Sequence, residues 1–183
     1  MDELIDILNE DGAISGKQLM KSEAHRLGLL HPTIHVWVYD ADGKILLQQR
    51  SFSKDTFPGM WDVSVAGHIG AGEDPAESAL RELEEEIGMQ VEIEDLEFIG
   101  TNRHEVRHNN GIIDREMHYV YLCPLKVPFD DLKLQHEEVH AIRFISVNAY
   151  EDFLKDPENL CSFVPHDENY QNLVFPALKN ISQ

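Results

Sequence analysis

The chain has 183 residues, enough for one domain with a sizeable core. Fifteen Lys and Arg stand against 34 Asp and Glu, a formal net charge of −19, which argues against nucleic acid or an anionic membrane as partner. No apolar run approaches the length that spans a bilayer, the acidic start MDELIDILNEDG is no signal peptide, and Cys123 and Cys161 form no CxxC pair, so the expected setting is a reducing cytoplasm.

Residues 2 to 20 alternate apolar runs with turn chemistry at Asn9 to Gly12 and at Ser15-Gly16, which predicts a small N-terminal hairpin. Lys21 to Leu27 reads as a short helix or turn ending at Gly28. Thr33 to Tyr39 and Lys44 to Gln49 flank an Asp42-Gly43 turn and predict a second hairpin. Ser51 to Gly59 is a polar loop, and Trp61 to Ala66 is a strand. A helix follows: Asp74 is its N-cap, Pro75 suits the first position, Glu77 stands where a capping-box partner would, and Gly88 is the stop. Its apolar stripe is Ala76, Ala79, Leu80, Leu83 and Ile87.

Further on, Val91 to Thr101 predicts a strand, and Asn102 to Asn110 a polar loop holding Arg103, His104, Arg107 and His108. Ile112 to Leu122 and His140 to Ser146 predict strands. Val147 to Leu154 and Asn169 to Asn180 predict helices, the second weakened by Pro176. Pattern alone gives a mixed α and β domain.

Off the helix's apolar stripe lie Glu82, Glu85 and Glu86, at i, i+3 and i+4. Their convergence costs energy unless a cation sits among them, and carboxylate oxygen suits hard divalent ions, Mg²⁺ above all. Together with Gly67, Glu73, Arg81, Leu83, Gly88 and Met89 at their spacing, the stretch from Gly67 to Met89 resembles a complete Nudix box. The resemblance implies an α/β/α sandwich with a mixed sheet, here with an N-terminal β-hairpin extension over 1–30, a core over 31–160 and a C-terminal helix within 161–183. It implies a Mg²⁺ (or Mn²⁺) cofactor and hydrolysis of a small-molecule diphosphate, such as a nucleoside diphosphate derivative. By the same resemblance Glu82, Glu85, Glu86 and the Gly67 carbonyl are metal ligands. Arg81 holds the box glutamates in place, and Glu73 has a similar part. The general base is a box glutamate or Glu138 on the later Glu137-Glu138 loop. A homodimer is a further expectation, since family members often dimerise.

A second likeness lies outside the box. Lys21-x-x-x-His25, His31-Pro32-Thr33, Leu47 to Ser51 with Lys54, Phe57-Pro58-Gly59-x-Trp61 and Gly67-His68 resemble isopentenyl-diphosphate isomerase, itself a Nudix-fold enzyme. This implies that His25, His31, His68 and Glu116 match a metal site, and that Lys21, Arg50 and Lys54 match diphosphate-binding cations. The three histidines then hold either a second metal or the substrate. The isomerase needs a proton-transferring cysteine where this chain has Ala66, and a methyl group moves no proton. A complete box with that acid lost favours hydrolysis. Isomerisation and non-catalytic sensing of a diphosphate ligand are the alternatives. His104, His108, His118, His136, His140 and His166 read as structural, and Trp61 as packing.

Overall fold

The computed structural model describes residues 2–181. Strands β1 (Leu4–Leu8) and β2 (Ile14–Met20) pair as the expected N-terminal hairpin, which runs into α1 (Lys21–Leu27). Ser15-Gly16 lies inside β2 rather than in a turn; the one turn is at Asn9 to Gly12, where Gly12 adopts φ 86°. Strands β3 (His31–Tyr39), β4 (Lys44–Arg50), β5 (Trp61–Asp62), β6 (Val65–His68), β7 (Glu97–Arg107), β8 (Ile113–Pro124) and β9 (Val139–Ser146) form one mixed sheet. Helices α2 (Pro75–Ile87), α3 (Val147–Lys155), α4 (Pro157–Leu160) and α5 (Glu168–Ile181) complete the chain.

The hairpin predicted for β3 and β4 is held only near its turn. Asp40 N–H reaches the Lys44 carbonyl at 2.9 Å, and the ladder registers Tyr39 against Ile45. At the next rung the Ser64 hydroxyl stands between the strands. It accepts from Val38 N–H at 2.7 Å and donates to the Leu46 carbonyl at 2.6 Å. Beyond this point the strands diverge. β4 pairs with β9 and β5, while the freed edge of β3 pairs with β6 over Thr33 to Val36. The other edge of β3 runs parallel to β8 along its whole length.

The side-chain period of two then makes two cores. Ile34, Val36 and Val38 pack with Ala79, Leu83 and Ile87 of α2. Trp37, Val120 and Leu122 face the other way, onto Tyr150 of α3 and Tyr170, Val174 and Leu178 of α5. Helices on both faces of a mixed sheet are the expected α/β/α sandwich. No helix among the described residues is long and apolar enough to cross a membrane.

Three local expectations differ from the structure. Residues 102–107 are strand, not loop: β7 pairs with β8 as far as Arg107 against Ile113, and its polar residues alternate between faces. Val91 to Leu96 is not strand; Ile93–Asp95 form a 3₁₀ turn in which Asp95 accepts from Glu92 N–H at 3.1 Å. Helix α5 runs unbroken through Pro176; Pro176 and Asn172 are both exposed, so the carbonyl that the proline leaves unpaired lies on the solvent side of the helix. The α2 cap is as expected at Asp74, which accepts from Ala76 N–H at 2.8 Å. Glu77 makes no reciprocal bond among the described residues.

Ser64→Ala leaves Val38 N–H and the Leu46 carbonyl buried without partners. We expect a loss of about 1–3 kcal/mol of stability, read as a lower urea midpoint at unchanged slope.

Candidate active site

One cleft of about 1380 Å³ opens at the edge of the sandwich. α2 delivers Glu82, Glu85 and Glu86 to it, the end of β6 delivers Gly67 and His68, and β8 delivers Glu116. The end of β4 contributes Arg50 and the loop after it Lys54, α1 contributes Lys21 and His25, and Glu138 comes from the turn before β9. Every site residue expected from the sequence thus lines this cleft except His31, which is fully buried behind it.

The Arg81 guanidinium organises the box. It donates to Glu73 at 3.1 and 3.2 Å, to Glu82 at 2.7 Å, to Glu85 at 3.3 Å and to the His68 carbonyl at 3.1 Å. Glu73 also accepts from Gly70 N–H and the Ser78 hydroxyl. With Arg81 first among the causes, these bonds pull the Glu73 carboxyl down to about 2. Gly67 is a glycine because of Glu82: a Cβ there would stand 2.2 Å from the Glu82 carboxyl carbon.

Glu86 is 4% exposed and accepts from the Gln48 amide at 3.2 Å. Burial, then the Glu82 charge, pushes its carboxyl up to about 8; burial also raises Glu82. Two buried acids that resist ionisation are a site lacking positive charge. Lys54 is paired with Glu138, and Arg50 with Asp62 at 3.3 Å and the Thr56 carbonyl at 3.2 Å. The Lys54 pair holds Glu138 below its ordinary range in spite of burial.

A second donor set lies across the cleft. His25 Nε2 is 3.2 Å from both His31 Nε2 and His68 Nε2. Glu116 Oε1 is 3.8 Å from His31 Nε2 and 3.9 Å from His68 Nε2. One ligand atom from each of the four lies within 4.8 Å of all the others. His31 Nδ1 meets the Leu29 carbonyl at 2.8 Å, which puts its proton there and leaves Nε2 a lone pair aimed at the cluster. Burial keeps His25 and His68 toward the neutral form. Burial opposes the Glu116 charge, but bonds from His118 and His31 overcome it and hold Glu116 well below the usual range. Converging imidazoles with one carboxylate form a metal-type donor set. The N-terminal extension is integral to it. His25 comes from α1, and β1 is fastened to the box loop by Ala71 N–H on the Leu4 carbonyl and Gly72 N–H on Asp6.

The sequence reading missed part of the cleft. His104, His118 and His166, read as structural, line it, as do Thr33, His35 and Asp62. The signal was period two. His31, Thr33 and His35 share a face of β3 with Trp37, and Asp114, Glu116 and His118 share a face of β8 with Val120 and Leu122. On both strands that face changes from polar to apolar at nearly the same rung. Trp61 packs as expected, under the Arg143 guanidinium at 4.0 Å.

Sandwich, glutamate helix and cation-bearing cleft define the class of a Nudix-fold protein. The chain belongs to the Nudix hydrolase family: the NUDIX domain model matches residues 29–164. It is 38% identical to Nudix hydrolase 3 of Arabidopsis thaliana over 92% of this chain, though it spans only 22% of that protein. An uncharacterized Nudix hydrolase of Clostridium acetobutylicum is 33% identical over 97% of each chain. An isopentenyl-diphosphate Delta-isomerase of Serratia proteamaculans is 33% identical over 67% of this chain and 66% of its own. A crystal structure from Deinococcus radiodurans shares the fold, with a TM-score of 0.67 at 18% identity over 99% of this chain and all of that one.

The Glu73 carboxyl lies lower folded, at about 2, than its ordinary 4.5. Its contribution is therefore complete above about pH 4.5 and is lost as the pH falls toward 2. Glu73→Gln should cost on the order of 1–3 kcal/mol at neutral pH, with the gap to wild type narrowing below pH 4.5 in acid-titrated urea melts. Gly67→Ala should keep the fold by circular dichroism and lose at least tenfold in turnover, by displacing Glu82.

Proposed function

We propose that this chain is a metal-dependent hydrolase that cuts the P–O–P bond of an organic diphosphate. The observation that carries the reading is the meeting, in one cleft, of the box glutamates with Arg50, Lys54 and Lys21. Glu82, Glu85, Glu86 and the Gly67 carbonyl would hold Mg²⁺ or Mn²⁺. His25, His31, His68 and Glu116 would hold a second, more nitrogen-loving ion such as Mn²⁺ or Zn²⁺. The Gly67 cradle over Glu82 and the convergence of Nε2 lone pairs both suit such ions. When bound, divalent ions supply Lewis-acid neutralisation of a diphosphate.

The protein's own groups do the rest. Arg50 at the end of β4 and Lys54 in the loop after it bind the phosphates, and Lys21 does so from α1. Binding there loosens Lys54 from Glu138. Losing the lysine that lowered its carboxyl makes the freed Glu138 more basic, and it takes a proton from the attacking water. Arg81 keeps Glu82 and Glu85 aimed at the cleft while the substrate changes charge.

Isomerisation of isopentenyl diphosphate is the competing reading, favoured by the same His and Glu cluster. Ala66 opposes it, since it lines the cleft with a methyl group where that chemistry needs a proton donor.

The test is cleavage of nucleotide sugars, dinucleotides, nucleoside triphosphates and isopentenyl diphosphate with Mg²⁺ or Mn²⁺, read by chromatography of the phosphomonoester products and as phosphate or pyrophosphate where the diphosphate is terminal. Turnover should vanish with EDTA and fall at least a hundredfold in Glu85→Gln and Glu138→Gln. Arg50→Met and Lys54→Met should raise KM more than they lower kcat. Solvent deuterium entering isopentenyl diphosphate without phosphate release would replace hydrolysis by isomerisation.

A further inference from the structure

Arg50, which the proposed function sets against the diphosphate, is tied down at all three of its guanidinium nitrogens. Nη1 donates to Asp62 Oδ2 at 3.3 Å, and Nε and Nη2 both donate to the Thr56 carbonyl at 3.2 Å. We propose that Asp62, locked in place by His166, is the positioning residue for Arg50: it holds the guanidinium ready for a phosphate and off the acids of the cleft. The inference rests on the reading that Arg50 binds phosphate, and it adds two residues to that site, one of them from the C-terminal segment.

Asp62 ends the short strand β5 and is 5% exposed. In the ladder it lies opposite Gln48, so Arg50, two residues along β4, is its diagonal neighbour. Its Oδ1 takes two donors, Val63 N–H at 2.8 Å and His166 Nε2 at 3.3 Å. An ionised carboxylate only accepts, so His166 carries its proton on Nε2. With Oδ1 occupied, Oδ2 is left for Arg50. Burial opposes the Asp62 charge, and the His166 hydrogen bond and the Arg50 charge overcome it, so Asp62 stays ionised. His166 is held in turn by the segment before α5. Trp61 N–H donates to the Ser162 carbonyl at 2.8 Å, Val164 N–H donates to the Trp61 carbonyl at 2.9 Å, and the His166 ring stacks on Tyr170 at 4.3 Å.

The other cations of the cleft show what happens without such a tether. Lys54 lies on Glu138, Lys21 on Glu3 at 3.3 Å, and Arg81 on Glu73, Glu82 and Glu85. Glu86 and Glu138 line the same cleft and feel the Arg50 charge, yet among the described residues Arg50 bonds to neither. Released from Asp62, the long Arg50 side chain would be drawn onto them. A guanidinium spent on those acids is lost to the substrate.

A buried ion pair adds little net stability, because the cost of desolvation offsets the attraction. What this pair fixes is direction. The donors of a guanidinium form a rigid planar fork. Asp62 takes one Nη1 hydrogen and leaves the other for a phosphate oxygen, and the fork cannot turn without breaking the Thr56 bonds. Alignment made before binding spares the cost of ordering a long side chain when the ligand arrives. A bare negative charge beside an anion site would instead repel the ligand. The sign of the effect of Asp62 on binding therefore separates positioning from mere proximity.

The test is binding of methylenebisphosphonate, a non-hydrolysable diphosphate, measured by calorimetry on the intact protein with Mg²⁺. Asp62→Asn keeps the shape and removes the charge, and should weaken binding about tenfold, the worth of one lost hydrogen bond to a charged group. If Asp62 were only a nearby negative charge, its loss would tighten binding. His166→Phe keeps a ring on Tyr170 and removes the bond to Asp62, and should weaken binding severalfold. In an Arg50→Met background neither substitution should weaken binding further, an outcome that a general loss of packing would not produce. Melts followed by circular dichroism show which variants fold, and His166→Phe decides alone if Asp62→Asn does not. Unchanged or tighter binding in a folded single variant overturns the proposal. So does a loss that persists in the Arg50→Met background, or binding that Arg50→Met itself leaves unchanged. Binding that depends on Asp62, together with no cleavage of any diphosphate, would sink the hydrolase reading and leave this one standing. Cleavage with a KM that Asp62→Asn leaves unchanged would do the reverse.

Discussion

The placement of the site depends on one hydroxyl between two strands. A closed β3–β4 hairpin would occupy the edge of β3 with β4. Ser64 takes the rung at Val38 and Leu46 for itself, so that edge opens and β6 pairs along it instead. The pairing sets His68 against Thr33 and Ala66 against His35. It also fixes where the glycine-rich loop leaves the sheet, and so where α2 lies. The box glutamates reach the cleft because the hairpin was opened, not because a loop happened to pass there.

Electrostatics is the second constraint. The chain is strongly acidic, and its cleft gathers acids. Two unit charges about 4 Å apart interact by about 4 kcal/mol at an effective dielectric of 20, several times the net worth of about 1 kcal/mol of an ordinary hydrogen bond. Arg81 offsets part of that by touching Glu73, Glu82 and Glu85 at once. Glu86 lies beyond its reach and stays hard to ionise. The protein thus carries a local deficit of positive charge beside Arg50 and Lys54. A site in that condition attracts divalent cations and, with them, an anionic substrate.

Much of this was legible in the sequence, unevenly. The α2 signals were explicit, from Asp74 to Gly88, because capping and periodicity are local effects. The cluster of His25, His31, His68 and Glu116 was visible only as a resemblance, since its members come from four elements. Past Thr101 the sequence of β7 reads as loop. Its residues alternate between solvent and a polar cleft, so the usual apolar-polar contrast of a strand is missing. The same cause hid His104, His118 and His166. A histidine facing a polar cavity looks, one residue at a time, like any surface histidine, and only the paired register of β3 and β8 brings the polar rungs together. The splitting of the β3–β4 hairpin was not readable at all, because the turn chemistry at Asp42-Gly43 is correct for a hairpin and the residue that parts it lies some twenty positions on.

The proposed function needs two chemically different cation sites in one cleft, an oxygen site on α2 and a nitrogen-rich site that includes His25 of the N-terminal extension. Equilibrium dialysis with Mn²⁺, followed by electron paramagnetic resonance of the bound ion, tests it most directly. Two bound ions per chain are predicted for the wild type. His25→Ala should remove one while Glu85→Gln weakens the other, each leaving the remaining site in place. A single site lost in both variants, or binding unaffected by His25→Ala, would contradict the account.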